Sequence, residues 1–294
     1  MQERKVSFFS DGYKLDGTLY LPDDIQPGER RPALIPNSGF QGFNQFYPRL
    51  FAHEFTKRGY VCLGFDYRGF AKSEGTRGRV ILDEQVKDII NAITFLQTQD
   101  EVDPGRIGIL GWGMGASNVV RVAAMDDRVL AVAALNGFYN GKRWLRTIHS
   151  YVDFNHLLEE VKEDRILRVV SGQSKEVETF HHYPLDRITT ENVNVELSSI
   201  PGFGHPVTIE FTESILNLDA EKVVAELSPI PLFVAHGKGN LLHPLEEGQS
   251  LFAAAQEPKE FYLIDGQHND FMYKDHPEFQ ALIERLVQFF AANV

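Results

Sequence analysis

The sequence predicts an α/β fold built on a mostly parallel β-sheet. Three observations predict it: short runs that are wholly apolar, helical spacing of apolar residues between those runs, and the alternation of the two along the chain. The runs are "PALIP" (32–36), "YVCLGF" (60–65), "RIGIL" (106–110), "VLAVAAL" (129–135), "IPLFVAHG" (230–237) and "EFYLID" (260–265). A strand with one wet face alternates apolar with polar residues. These runs do not, so they are expected to be buried on both faces, between layers of helix.

Taken in order, the opening "KVSFFSDGYKLDGTLYLP" carries two apolar segments around Asp-Gly turns and predicts an antiparallel hairpin. Between 83 and 98, Val86, Ile89, Ile90, Ile93 and Leu96 recur at helical spacing. Phe279, Leu282, Ile283, Leu286 and Phe290 repeat the pattern in the last segment. One interval breaks the alternation. From about 139 to 228 the mixed-charge amphipathic stretches "YNGKRWLRTIHSYVDFNHLLEEVKEDRIL" and "EFTESILNLDAEKVVAEL" flank the loop "SSIPGFGHPV" (198–207). The expected organisation is a core of residues 1–138 and 229–294, with 139–228 inserted as a helical cap over one end of the sheet.

Composition narrows the function classes. A chain of 294 residues with 43% apolar and 24% charged residues can bury a sizeable core. Its net charge of −12 argues against binding nucleic acid or an anionic membrane, both of which are held through Lys and Arg. The single Cys62 excludes an internal disulfide and a cysteine zinc site, and its apolar run predicts a buried core thiol. The N-terminal segment lacks the features of a secretory signal, and no apolar run is long enough to span a bilayer. A soluble, cytoplasmic protein is expected.

The segment "ILGWGMGAS" (109–117) runs an apolar strand into alternating glycines and fits two patterns. Gly111, Gly113 and Ala116 spell G-x-G-x-x-A, a dinucleotide loop. Gly111, Gly113 and Gly115 are spaced as in the nucleophile elbow G-x-S-x-G, with glycine where the serine belongs. A dinucleotide loop needs an acidic residue ending the next strand to hold ribose hydroxyls. Here "VLAVAALNG" ends at Asn136, which counts against it.

Five segments favour the elbow: "PNSGFQG" (36–42), "GFDYRGFAKSEG" (64–75), "VDPGRIGILGWGMGA" (102–116), "HGKGNLLHP" (236–244) and "IDGQHNDF" (264–271). On these the sequence resembles the α/β-hydrolase superfamily, particularly its dienelactone-hydrolase and X-Pro-peptidase-like branch, over nearly its whole length. The resemblance implies an eight-stranded sheet with a cap after the sixth strand. It puts the family nucleophile on Gly113, the triad acid on Asn240 and the triad histidine on His268, with oxyanion-hole amides at Phe40 and Met114. Two of three triad side chains therefore depart from the family pattern.

Glycine cannot attack a carbonyl, so an acyl-enzyme at 113 is excluded. Asn240 is expected to accept a hydrogen bond from the His268 ring without offsetting an imidazolium charge. An oxyanion hole and one histidine would suit reactions through an enolate or oxyanion that do not acylate the enzyme, such as elimination, aldol chemistry, decarboxylation or cyclisation. No cofactor is expected. Three readings stand at this point: a cofactor-free enzyme on a carbonyl-bearing small molecule, a pseudoenzyme binding a ligand or partner, and an esterase present as an inactivated variant. Each residue has a plainer alternative. His268 is catalytic or merely retained; Asp270 is its acidic partner or, more simply, a solvated loop carboxylate. Phe40, Phe43, Phe46 and Tyr47, with Trp112, Phe138, Tyr139 and Trp144, are core or the walls of a pocket for an aromatic or polyketide-like ligand. Ser38 and Ser117 are not expected to be placed for attack. For His205 and the pair His181-His182 no carboxylate or second histidine has ligand spacing, so no metal is expected.

Overall fold

The computed structural model describes all 294 residues. The chain opens with the hairpin, β1 (Gln2–Ser10) and β2 (Tyr13–Leu21), followed by β3 (Arg31–Asn37), α1 (Tyr47–Thr56), β4 (Val61–Phe65), α2 (Leu82–Gln97), β5 (Val102–Trp112), α3 (Met114–Ala123) and β6 (Val129–Leu135). An insertion follows, with α4 (Gly141–Ile148), α5 (Tyr151–Ser171), β7 (Glu176–Val177), α6 (Arg187–Asn192), β8 (Val207–Thr208) and α7 (Glu210–Asn217). The chain then returns to the sheet with β9 (Leu232–Gly237), α8 (Leu245–Ala254), β10 (Lys259–Ile264) and α9 (Pro277–Asn293).

The eight long strands form one sheet in the order β1-β2-β4-β3-β5-β6-β9-β10. Only the β1–β2 and β2–β4 pairings are antiparallel; the rest of the sheet is parallel. The apolar runs have side chains on both faces because the sheet has a core on each side. Along β6, Val132 and Ala134 pack with α2, α3 and α8, while Ala131, Ala133 and Leu135 pack with α1 and α9. At about 25 cal/mol per Å² of apolar surface removed from water, these two layers supply the main stabilisation.

The two-residue strands β7 and β8 pair antiparallel inside the insertion. Sequence periodicity does not reveal them, because two residues carry no period. No helix is long and apolar enough to cross a membrane.

Candidate active site

The glycine-rich segment makes a tight turn from β5 into α3, and its three glycines have different reasons to be glycine. A Cβ on Gly111 would lie 2.1 Å from the Gly115 carbonyl oxygen, and one on Gly115 would lie 2.1 Å from the Ser38 carbonyl oxygen. Neither can carry a side chain without moving backbone. Gly113 is different. Its φ of +59° and ψ of −125° are costly for an L-residue, yet a Cβ there would meet only His268 Cε1 and Nε2 at 3.7 Å and His243 Cε1 at 3.8 Å. The central glycine has room for a side chain, and that side chain would face two imidazoles.

The ribose-binding position of a dinucleotide fold is taken up by structural work. Asn136 is fully buried; its Oδ1 accepts from the Gly237 amide at 2.7 Å, and its Nδ2 donates to the His268 carbonyl at 2.8 Å. It ties the loops after β6, β9 and β10 together.

Those loops and the end of β9 carry three histidines whose protonation is fixed by their neighbours. Asn240 Oδ1 accepts the backbone N–H of His243 at 2.9 Å, so its amino group is the end that faces His268 Nδ1, at 3.2 Å. An amino group only donates. His268 Nδ1 therefore accepts, and the neutral ring carries its hydrogen on Nε2, toward the space beside Gly113. This corrects the expectation that Asn240 accepts from the ring. The correction matters because a triad base needs the opposite tautomer. Burial pushes His268 down to about 3, so the ring stays neutral across the physiological range.

His243, which the sequence reading passed over, holds the other tautomer. Its Nδ1 donates to the Asn136 carbonyl at 2.7 Å, and its Nε2 accepts the Tyr183 hydroxyl at 2.7 Å. Burial, with His268 4.7 Å away ring to ring, holds His243 well below its ordinary value. Below them, His236 Nε2 donates to the His243 carbonyl at 2.8 Å, and burial lowers His236 to about 4. Both histidines of "HGKGNLLHP" are fully buried, and nothing in the segment says that His243 is the one beside Gly113 and Tyr183; only the loop geometry does.

An apolar cavity opens above Gly113. Phe40, Trp112, Met114 and His268 line it from the core, with Phe43, Phe46 and Tyr47 beside them. Met114 is the first residue of α3, so its N–H has no partner within the helix. The Phe40 loop is held through its carbonyl, which accepts from Gln85 at 3.0 Å, and Gln85 in turn accepts from Asn118 at 3.0 Å. The indole N–H of Trp112 has no acceptor in the protein. From the insertion, the wall is built by residues between 180 and 203, among them Phe180, Tyr183 and Phe203.

Phe138, Tyr139 and Trp144 do not line this cavity, against the sequence expectation. All three are fully buried behind it, Phe138 and Trp144 stacked at 4.1 Å. The Trp144 indole donates to the Leu242 carbonyl at 2.9 Å, and its ring lies 4.6 Å from Tyr183 and 5.4 Å from His243. They buttress the wall from behind. Ser38 lines the cavity, whereas Ser117 is fully buried with its hydroxyl on the Phe138 carbonyl. Asp270 accepts from the Gln267 amide at 2.8 Å, capping its own loop. His205 is exposed and lines a separate groove with Arg77 and Gly78. The pair His181-His182 is met by Glu160 from α5, a carboxylate that sequence spacing does not place there.

Three buried neutral histidines make stability depend on pH. Each folded value lies below the ordinary 6.5, so unfolding takes up protons once the pH falls below 6.5. Their contribution is complete above that pH and is lost as the pH falls toward 3–4. Asp66 and Asp88 run the other way: burial raises both, Asp66 to about 6, so below that pH unfolding releases their protons. The histidines outnumber them. Urea unfolding is expected at a lower midpoint at pH 5 than at pH 7.5, and equal midpoints would contradict the neutral-histidine network.

Comparison with known proteins agrees with this architecture. The X-Pro dipeptidyl-peptidase (S15) family profile matches residues 11–153, just under half of the chain. An uncharacterized Escherichia coli protein is 37% identical over 130 residues, which are 44% of this chain and 46% of that protein. The chain thus matches about half the length of that relative. Two relatives match more fully: a thiohydrolase of Arthrinium phaeospermum, 28% identical over 98% of this chain and 96% of its own, and a polyketide transferase of Stachybotrys chlorohalonatus, 28% identical over 87% and 86%. The crystal structure of an α/β hydrolase from Penicillium sp. sh18 superposes with a TM-score of 0.82 at 22% identity, covering 100% of this chain and 99% of that one. The chain is an α/β-hydrolase-fold protein with hydrolase- and acyltransferase-like relatives.

Proposed function

We propose that this protein is a cofactor-free enzyme that stabilises an oxyanion on a carbonyl-bearing, largely apolar small molecule, without a side-chain nucleophile at position 113. One observation carries the reading: His268 presents a hydrogen-bond donor, not a base, beside Gly113. With the Phe40 and Met114 amides it would form a donor cluster at the floor of an apolar cavity. A neutral imidazole can serve this electrophilic role, and each donor to an oxyanion contributes roughly 10²- to 10³-fold. The substrate class is supported by the aromatic walls and by the names of the relatives, a thiohydrolase and a polyketide transferase.

Donors without a base favour lyase or cyclase chemistry over isomerisation, which needs a proton abstracted from carbon. Decarboxylation of a 3-oxo acid fits best. The bond from C2 to the carboxyl carbon breaks, its electron pair forms the enolate, and carbon dioxide leaves. Water then returns a proton to C2. The donors hold the enolate oxygen, and the apolar walls disfavour the charged carboxylate of the ground state.

The test uses a medium-chain 3-oxo acid and follows carbon dioxide release. His268→Ala is expected to lower turnover by about 10²-fold. Asn240→Asp is the sharper variant. A carboxylate accepts from Nδ1 and strips the hydrogen from Nε2, so turnover should fall by a similar factor. A rise in Asn240→Asp would show that His268 works as a base and would end this mechanism.

A second reading, a ligand-binding protein without catalysis, is favoured by the absence of any carboxylate among the residues lining the cavity. In that case His268→Ala leaves affinity for the same 3-oxo acid unchanged, Trp112→Ala weakens it, and no variant changes carbon dioxide release.

A further inference from the structure

We propose that Glu160, His181 and His182 form a zinc site on the outer side of the cavity wall. One ligand atom from each lies within 4.8 Å of the others. The edge of a four-coordinate zinc site with nitrogen and oxygen ligands is roughly 3.4 Å. His181 Nε2 and Glu160 Oε2 already stand 3.3 Å apart. The ligand atoms lie within 4.8 Å of one another, so closing the third ligand, His182, needs a shift of at most about 1.4 Å, within reach of side-chain rotation. Two imidazoles and a carboxylate, with a fourth position open to water, are a recognised zinc donor set.

The surroundings suit a metal. His182 Nδ1 is 2.9 Å from the Thr212 hydroxyl, which fixes the ring and leaves Nε2 as its free nitrogen. A third imidazole, His149, lies 6.4 Å from His182. The competing cation is Lys175, whose Nζ is 3.2 Å from Glu160 Oε2; it is largely exposed and free to swing away.

The consequence is mechanical. Glu160 belongs to α5, whereas the two histidines sit between Phe180 and Tyr183, which line the cavity. A metal joining them would pin that wall to α5. Binding only to the folded chain, it would also raise the thermal midpoint.

The experiment titrates the untagged chain with zinc sulfate by calorimetry, and with cobalt chloride by visible absorption. One equivalent should bind, and cobalt should give the intense bands of a four-coordinate centre. Glu160→Gln, His181→Ala and His182→Ala should each weaken zinc binding by about 100-fold or more, and Thr212→Val by about 10- to 100-fold. Lys175→Ala should tighten it, and His205→Ala should leave it unchanged. Weak six-coordinate cobalt spectra, no zinc binding, or binding indifferent to the three ligand variants would overturn the site. The cobalt spectrum and the Lys175 variant test it even where a ligand variant folds poorly.

Discussion

Gly113→Ser combined with Asn240→Asp is expected to hydrolyse activated aryl esters about 10⁴-fold faster than Gly113→Ser alone. The factor follows from the cost of the wrong histidine tautomer when an asparagine replaces a triad acid, in a different protein. The geometry gives it a specific basis here. A serine Cβ at 113 meets His268 Nε2 at ordinary contact distance, 3.7 Å, so there is space for the hydroxyl beside the ring. With Asn240 unchanged, His268 Nε2 bears a hydrogen and cannot take the serine proton. An aspartate at 240 keeps the acceptor for the His243 amide and offers a second oxygen to Nδ1, which moves the hydrogen to Nδ1 and frees Nε2. The carboxylate would also raise the ring from about 3 toward its ordinary range.

The serine costs stability, because φ of +59° is disfavoured for any side chain; about 1–3 kcal/mol is expected. The measurements are p-nitrophenyl ester turnover and labelling by a serine-directed phosphonate, for wild type, both single variants and the double variant. Wild type should neither turn over nor label. Full esterase activity in the double variant would support the reading of an inactivated esterase. Activity in Gly113→Ser equal to that of the double variant would show that Asn240 does not control the tautomer.

How much of this was legible in the sequence follows from what each feature depends on. The strands of the main sheet were visible because burial on both faces leaves a continuous apolar run, and α2 and α9 because one apolar stripe recurs at helical spacing. Gly111 and Gly115 were visible as a pattern, but their reason is a distance: the fold brings the Gly115 carbonyl against Gly111 within the turn and the Ser38 carbonyl, from the loop after β3, against Gly115. The direction of the Asn240–His268 bond was misread because a third group decides it: the His243 amide claims Oδ1. Tyr183 and His243, 60 residues apart in the chain, meet only through the fold of the insertion. Trp144, read as a wall of the site, packs behind that wall against Tyr183 and His243, since nothing in the sequence distinguishes a wall from its buttress.

Replacing Arg143 by methionine is expected to destabilise the protein by about 3 kcal/mol, a large share of the ~5–15 kcal/mol that holds a domain folded. Arg143 lies on α4 and reaches Glu247 on α8 with two bonds, at 2.8 and 2.6 Å, and Glu221 with two more, at 2.9 and 2.7 Å. Glu247 is 4% exposed, and its other link is to the Tyr139 amide at 3.2 Å. Without the guanidinium, a carboxylate remains in a place that water barely reaches. Breaking a buried pair from one side typically costs about 3–5 kcal/mol; the partly exposed position of Arg143 puts this case at the lower end. Arg143→Met with Glu247→Leu should recover part of the loss, because the buried charge goes with its partner, while Glu221 and the Tyr139 amide still lose theirs. The effect should reach the site as well. The next residue, Trp144, buttresses Tyr183 and His243, so loosening α4 frees the wall that those two residues fix. Urea unfolding of the two variants measures the first effect, and tryptophan fluorescence in the folded baseline reports the second. An Arg143→Met midpoint equal to wild type would mean that Glu247 finds another partner and that α4 is held by its apolar contacts alone.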